Sequence, residues 1–356
     1  MKGKLHIILI IMVIISSLTL LSCVKSSQTS STGQSSATST VSKPIEIKLA
    51  TWASQEEPHV KVLQWFSTEL ENRTSGRVKV NLFLAAALGS TPELPENVQK
   101  GIADMAIIVP SHATGLMPVA ELMSVPMLIP SASLMHYIGE HLVSEGLLNL
   151  KDTKILAVTG HENISLFTTK KKITTLEDLK GLIIGGPGSF NPILSKYGAT
   201  EVLLPPPEIY TNVERGIVDG GVFGLALVTQ FKMEGLLKYV CSNSLGNDAW
   251  AVIMNLKTWQ NLPSDIQVIM LELSKQVAYK LTMVETEQNQ ICLDHFAKHP
   301  QMEVYSLSSD DYDTLRKLAK PLAQEKAVQI DKQGLPGSAA LEIIYSDLKN
   351  FGIVND

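Results

Sequence analysis

Apolar and polar positions alternate along Ile45–Ala50 and again along Val78–Leu84, the period-two pattern of half-buried strands. Between them, Pro58–Arg73 sets Val62, Trp65, Phe66 and Leu70 on one side at helical spacing, and Gly76 ends that helix. Met105–Val109 and Ile155–Thr159 are short continuous apolar runs and read as buried strands, with Gly160-His161-Glu162-Asn163 after the second. Lys180–Ile184 and Glu201–Leu204 predict further strands, and Phe223–Leu237 predicts an apolar helix. Lys238–Ser242 and Trp250–Met254 predict two strands around a loop at Leu245–Asp248. From Ile266 to about Lys298 no proline or glycine interrupts the pattern, which predicts one helix long enough to span two packed units. Amphipathic helices over Leu315–Ile330 and Ala339–Phe351 complete an α/β pattern.

Two stretches nearly repeat each other: Asn97–Ala106, NVQKGIADMA, and Asn212–Gly221, NVERGIVDGG. Each carries an apolar pair four residues apart (Leu94 and Val98; Ile209 and Val213), then a basic residue (Lys100, Arg215) and a glycine (Gly101, Gly216) suited to a left-handed helix end. A short apolar strand is expected to start at Ile102 and at Ile217, interrupted by Asp104 and Asp219. One reading is two similar α/β lobes with a cleft between them; the other is convergence on a common helix–glycine–strand junction. A length of 356 residues exceeds what one hydrophobic core usually fills and fits two lobes. The expected divisions are a first lobe at 45–160, a second at 161–249, and a shared region at 250–356 holding a common strand, the long helix and C-terminal helices that pack on both.

The N-terminus reads as an export segment, residues 1–23. Lys2 and Lys4 precede an apolar run, Leu5–Leu21, and Leu20-Leu21-Ser22-Cys23 resembles a bacterial lipobox, which would make Cys23 the lipidated first residue of the mature chain. Residues 24–44, rich in Ser, Thr, Gln and Gly, cannot bury enough apolar surface to order themselves and read as a flexible tether. Together these imply an exported protein held at a membrane by a lipid and facing the periplasm or cell exterior. A net charge of −5 without a long basic run argues against a nucleic-acid partner. Cys241 and Cys292 lack metal-ligand spacing; a disulfide between them and two buried thiols both remain open.

The chain offers little to catalysis. No metal-protease motif, paired-cysteine zinc motif or Walker-type loop is present, so no metal and no cofactor is expected, and no nucleophile has a visible activator. Gly185-Gly186-Pro187-Gly188-Ser189 is the one glycine-rich loop; it could offer backbone N–H groups to an anion but lacks a Walker lysine. His161 beside Glu162 reads as a cleft-rim or surface histidine, because adjacent strand residues point apart. Trp52, at the end of the first strand, reads equally as a cleft wall or a packing residue.

Leu176-Glu177-Asp178-Leu179-Lys180-Gly181-Leu182, Tyr197-Gly198-Ala199-Thr200, Glu208-Ile209-Tyr210, Gly216-Ile217-Val218-Asp219-Gly220 and Asn255–Pro263 resemble the solute-binding proteins of tripartite ATP-independent periplasmic (TRAP) transporters, the dicarboxylate-binding type. The resemblance runs from about Ile45 to Ala323. It implies a two-lobed α/β periplasmic binding protein with a ligand cleft between lobes and a long helix spanning both. It also implies capture of a small molecule by lobe closure and delivery to integral membrane transport subunits. The family strand usually carries an arginine for a substrate carboxylate, and Gly185 holds that place here, followed by Gly186. Gly221, Val222 and Phe223 hold places where the family commonly has a polar residue near the ligand. Loss of a charge-assisted bidentate bond, about 1.5–3 kcal/mol, points to an apolar, aromatic or neutral ligand. The expected pocket has Trp52, Phe223 and Trp250 as walls. Its polar contacts would come from Ser111, Asn163, the Gly185-Gly186 backbone, Asn247 or Asp248. A periplasmic carrier or chaperone for hydrophobic ligands on the same fold is the alternative, marked by an open apolar groove instead of a closed small cavity.

Overall fold

Strand β1 (Ile45–Ala50) lies between β2 (Val78–Phe83) and β3 (Met105–Ile108), parallel to both. These coordinates are a computed structural model that describes Lys43–Val354 apart from Thr114 and Pro205, and without the side chains of Glu162, Pro206 and Pro207. The export segment, Cys23 and the tether up to Ser42 lie outside the described residues. A second parallel set comprises β5 (Ile183–Gly186), flanked by β6 (Thr200–Leu203) and β7 (Gly220–Gly224). Two long antiparallel strands, β4 (Thr153–Thr168) and β9 (Gly246–Asn255), join the sets into one sheet of order β2-β1-β3-β9-β4-β7-β5-β6. β8 (Tyr239–Cys241) pairs with β4 and with β10 (Glu303–Tyr305).

The register shows how the two sets meet. β3 ends beside Ala251 of β9, which faces Val158 of β4, whereas β7 runs the other way and ends beside Ile164 of β4. The parallel strands of the two lobes therefore point toward each other, and their carboxyl ends converge on the stretch of β4 between Val158 and Ile164. That stretch carries an irregularity: pairing jumps from Gly160/Ala249 to Asn163/Asn247. The extra residue twists the strand and re-aims its side chains where the two strand sets meet.

Two local expectations are corrected here. Asn247-Asp248 is not loop but part of β9, and β4 runs on beyond Thr159 through Gly160–Asn163, because the two stretches pair with each other and the ladder satisfies their backbone groups. Phe223 lies in β7, and the helix that follows is confined to Leu225–Gln230.

The near-repeat does the same work twice. Helices Leu94–Gln99 and Pro206–Glu214 end in Gly101 and Gly216 at φ of 74° and 68°, the left-handed region that glycine adopts cheaply. The next residues wrap over the helix end: Ile102 N–H donates to the Asn97 carbonyl and Ile217 N–H to the Asn212 carbonyl, both at 2.9 Å. The strands start only after the aspartates. Each aspartate ties the junction to the neighbouring parallel strand, Asp104 accepting from Lys48 N–H and Asp219 from Ile183 N–H, both at 2.9 Å. In return the Asp104 and Asp219 amides donate to the Lys48 and Ile183 carbonyls.

The helix Ser264–Lys298 spans both lobes. Its N-terminal half buries Met270, Leu273, Val277 and Leu281 against β1, β3 and β9, and its C-terminal half buries Cys292 and Phe296 against Phe167 and Phe223. Between these apolar halves lie three buried polar residues, Thr282, Glu285 and Asn289. Cys241 and Cys292 are buried thiols in different clusters with no disulfide between them, and burial pushes the Cys241 thiol up to about 11. Among the described residues no helix is long and apolar enough to cross a membrane.

Candidate functional site

The loops leaving β1 and β3, the irregular stretch of β4 and the start of β9 share one neighbourhood. Carboxyl ends of strands in open α/β sheets are where ligands are gathered. Trp52 leaves β1 and sets its ring edge-on to Trp250 of β9, with centroids 5.3 Å apart. His161 of β4 stacks on Trp250 at 4.1 Å, and His59, in the first turn of the helix Pro58–Arg73, meets Trp250 edge-on at 5.0 Å. Trp52 is partly exposed; Trp250 and His59 lie beneath it at 2% and 4% exposure.

The long helix supplies the floor. Thr282 bonds Thr159 of β4 at 2.7 Å, and Asn289 Oδ1 accepts from Asn163 N–H at 3.1 Å. Between them the Glu285 carboxylate stands 3.8 Å from His59 Nδ1 and 3.6 Å from His161 Nε2. Burial pushes the His59 imidazole down to about 4. The same cause holds His161 well below the usual histidine range, and protonation of His59 or His112 would lower it further. Both rings are neutral at physiological pH. His59 Nε2 and Trp250 Nε1 have no hydrogen-bond partner among the described residues, although each is buried.

Other expected site residues fall beside this cluster. Ser111 Oγ donates to Asp248 at 2.6 Å, and Ser124 Oγ donates to the other carboxylate oxygen at 2.7 Å. Asn247 Nδ2 donates to the His161 carbonyl at 2.8 Å and reaches Asn163 Oδ1 at 3.3 Å. The structure thus brings together Trp52, Ser111, Asn163, Asn247, Asp248 and Trp250.

Gly185, Gly186 and Phe223 occupy a different setting. Gly185 is laddered to Val202 on one side and Gly221 on the other, and Gly186 accepts from Leu204 N–H, so much of this backbone is already committed to the sheet. The Phe223 ring folds back over Gly221, stacked on Phe167 with centroids 4.9 Å apart and planes at 11°. At 5% exposure it fills the second lobe's core instead of walling an open cleft. The glycine-rich loop holds an internal anion: Gly188 N–H donates to Glu201 Oε1 at 2.8 Å, and burial raises the pKa of that carboxyl.

Sequence reasoning missed His59, Glu285 and Asn289. Thr282, Glu285 and Asn289 recur at i, i+3 and i+7, so three polar residues interrupt an otherwise apolar helix stripe, and that interruption was available as a signal. His59 carried none.

An apolar cavity of about 20 Å³ is lined by residues such as Met127, Phe190, Cys241 and Leu315. It has room for about one water molecule, which gives no support to an acyl-chain carrier.

The model of the bacterial extracellular solute-binding proteins, family 7, matches residues 49–329. The 2,3-diketo-L-gulonate-binding periplasmic protein of Escherichia coli is 25% identical over 232 residues, 64% of this chain and 71% of its own length. The ectoine/5-hydroxyectoine-binding periplasmic protein of Ruegeria pomeroyi is 24% identical, covering 80% and 85%. A TRAP solute-binding protein of Rhodoferax ferrireducens, solved with copurified benzoate, superposes with a TM-score of 0.72 at 21% identity over 86% of this chain and 98% of that one. One from Bordetella bronchiseptica, solved with mandelate bound, gives a TM-score of 0.72 at 20% identity over 86% of this chain and 100% of that one. The chain belongs to the family-7 bacterial extracellular solute-binding proteins, two-lobed receptors that bind small molecules for TRAP transporters and are not enzymes.

Proposed function

We propose that this receptor is lipid-anchored through Cys23 and takes an aromatic, apolar or neutral ligand at the Trp52–Trp250 cluster, without an arginine on β5. Its lobes divide at the irregular stretch of β4, near His161. The observation that carries the ligand class is the setting of Gly185. Its nearest neighbour on the side-chain face is Leu204, and the strand beside it holds Gly221 under the Phe223 ring. An aromatic stack stands where a carboxylate and its guanidinium would need a polar, hydrated lining, and an ionised carboxylate buried there without a counter-cation is costly. Trp52, partly exposed over the buried Trp250, offers instead a flat apolar face, with the neutral and acidic groups of Ser111, Asn163, Asn247 and Asp248 nearby. The benzoate and mandelate found in two structural neighbours support a flat, ring-bearing ligand body here.

Mass spectrometry of small molecules released on denaturing the protein purified from its native source tests this reading. A neutral, aromatic or acyl compound at near-stoichiometric amount is expected. A carboxylic acid at that amount would overturn it and would require a counter-cation elsewhere. A Cys23→Ala chain that still sediments with membranes after export would remove the anchor assignment.

A further inference from the structure

Polar atoms buried in a protein are nearly always paired, so an unpaired one beside a candidate site asks for a partner from outside the fold. Trp250 Nε1 and His59 Nε2 are two such atoms on rings whose centroids are 5.0 Å apart. An indole N–H can only donate; an imidazole nitrogen without its own partner can donate or accept, according to tautomer. Their surroundings exclude a simple anion. Glu57 Oε2 lies 3.8 Å from His59 Nε2 itself, and Glu285 Oε1 lies 3.8 Å from the other ring nitrogen. Among the described residues, no lysine stands over the Trp52 or Trp250 ring; the four lysine–ring contacts involve Trp65, Tyr305, Trp259 and Tyr345. Burial keeps His59 neutral, so it adds no positive charge.

We infer that the Trp250–His59 pair recognises the polar head of an uncharged ligand. An oxygen of that head accepts from Trp250 Nε1–H, an N–H, O–H or lone pair of the same head meets His59 Nε2, and Trp52 covers the flat body. An aromatic carboxamide has the right chemistry: a carbonyl oxygen to accept, an amide N–H to donate, and no charge. The corresponding carboxylate places an anion against Glu57. This inference rests on the receptor reading above and narrows its ligand class.

The test is a matched pair of probes, benzamide and benzoate, titrated into the purified full-length chain by calorimetry. Benzamide should bind at least about tenfold more tightly than benzoate, and Trp250→Phe, which keeps the ring face and removes the N–H, should weaken benzamide by about tenfold. Should that variant fail to fold, the indole N–H resonance of Trp250 in the wild-type chain serves instead, and benzamide must shift it. Tighter binding of benzoate, or an unmoved resonance and unchanged affinity in the variant, overturns the inference while the receptor reading stands. Binding of neither probe overturns it too, and if the native protein also releases no ring-bearing compound, the site assignment fails with it.

Discussion

Gly221→Ala is a severe change for one methyl group, and the reason is a single ring. A Cβ at this position would lie 2.0 Å from Cε1 of Phe223 and 2.6 Å from its Cδ1, and all three nearest atoms belong to that ring. Gly221 is not among the residues with positive φ, so the backbone itself accepts alanine. The ring must therefore move. It then gives up its stack on Phe167, about 0.5–1.5 kcal/mol, and part of its burial, about 1.5–3 kcal/mol if fully lost. Partial relaxation brings the expected cost to about 2–3 kcal/mol. Phe223→Ala alone should cost about 3–5 kcal/mol by leaving a cavity under Phe167 and Phe296. On that background, Gly221→Ala should cost much less, since the three nearest atoms are gone.

Urea unfolding of the four chains measures the coupling directly. A coupling of about 2 kcal/mol or more is expected, well above the roughly 0.3–0.5 kcal/mol scatter of independent sites. Equal costs of Gly221→Ala with and without the Phe223 ring would refute the idea that the ring holds this position as glycine. The same cycle bears on ligand choice. Gly185→Arg meets Leu204 Cδ1 at 2.8 Å, the movable end of a side chain, so its backbone position is tolerable. With Phe223 truncated as well, the new guanidinium gains space, and benzoate affinity should rise relative to the parent chain.

Further outcomes follow from the same contacts. Asp104→Ala should cost about 2 kcal/mol and Asp219→Ala about 1 kcal/mol, because Asp104 also accepts from Thr258 Oγ1 at 3.1 Å while Asp219 holds only Ile183 N–H through its side chain; denaturant midpoints rank them. His59 gives a pH signature: its folded pKa of about 4 lies below the unfolded 6.5, so the unfolded chain binds more protons between those values. Its contribution is complete above about 6.5 and is lost as pH falls toward 4, by roughly 3 kcal/mol. His59→Phe should flatten the acid limb of the stability profile in that window. Trp52→Ala, at a partly exposed ring, should weaken ligand binding more than it lowers the melting temperature.

Much of the fold was legible because local patterning and tertiary packing agree. The helix Pro58–Arg73 and the long helix after Pro263 lie where apolar spacing and flanking residues put them, since each buries the stripe its sequence displays. The near-repeat was legible as a junction but not in detail. Ile102 and Ile217 look like strand residues, yet they are 45% and 52% exposed, because the chain first wraps the helix end and only then enters the sheet. That β4 runs on through His161–Asn163 has no local signal, since nothing local tells a bulged strand from a loop; pairing of Asn163 with Asn247, 84 residues away, decides it. For the candidate site, Ser111, Asn163, Asn247, Asp248 and both tryptophans were reachable from strand ends. His59 and Glu285 were not, because they come from helices and arrive by packing.

The long helix ties these observations together. Its N-terminal half shares a cluster with Ile47, Met105 and Val252, and its C-terminal half shares another with Phe167, Val218 and Phe223. Each half is fixed to one lobe by apolar burial, which is lost only at high cost when a lobe moves against it. The waist between them, Thr282, Glu285 and Asn289, touches β4 through hydrogen bonds and near-contacts with Thr159, Asn163 and His161. Contacts of that kind can be exchanged for water at a net cost of only about 0.5–1.5 kcal/mol each. The seam is therefore softest where the carboxyl ends of both strand sets converge, and the same residues that form the floor of the candidate site form the least apolar part of the connection. A ligand that touched both lobes at this seam would stabilise one arrangement over the other only through unequal contacts with the two states, which is what lobe closure on a solute requires.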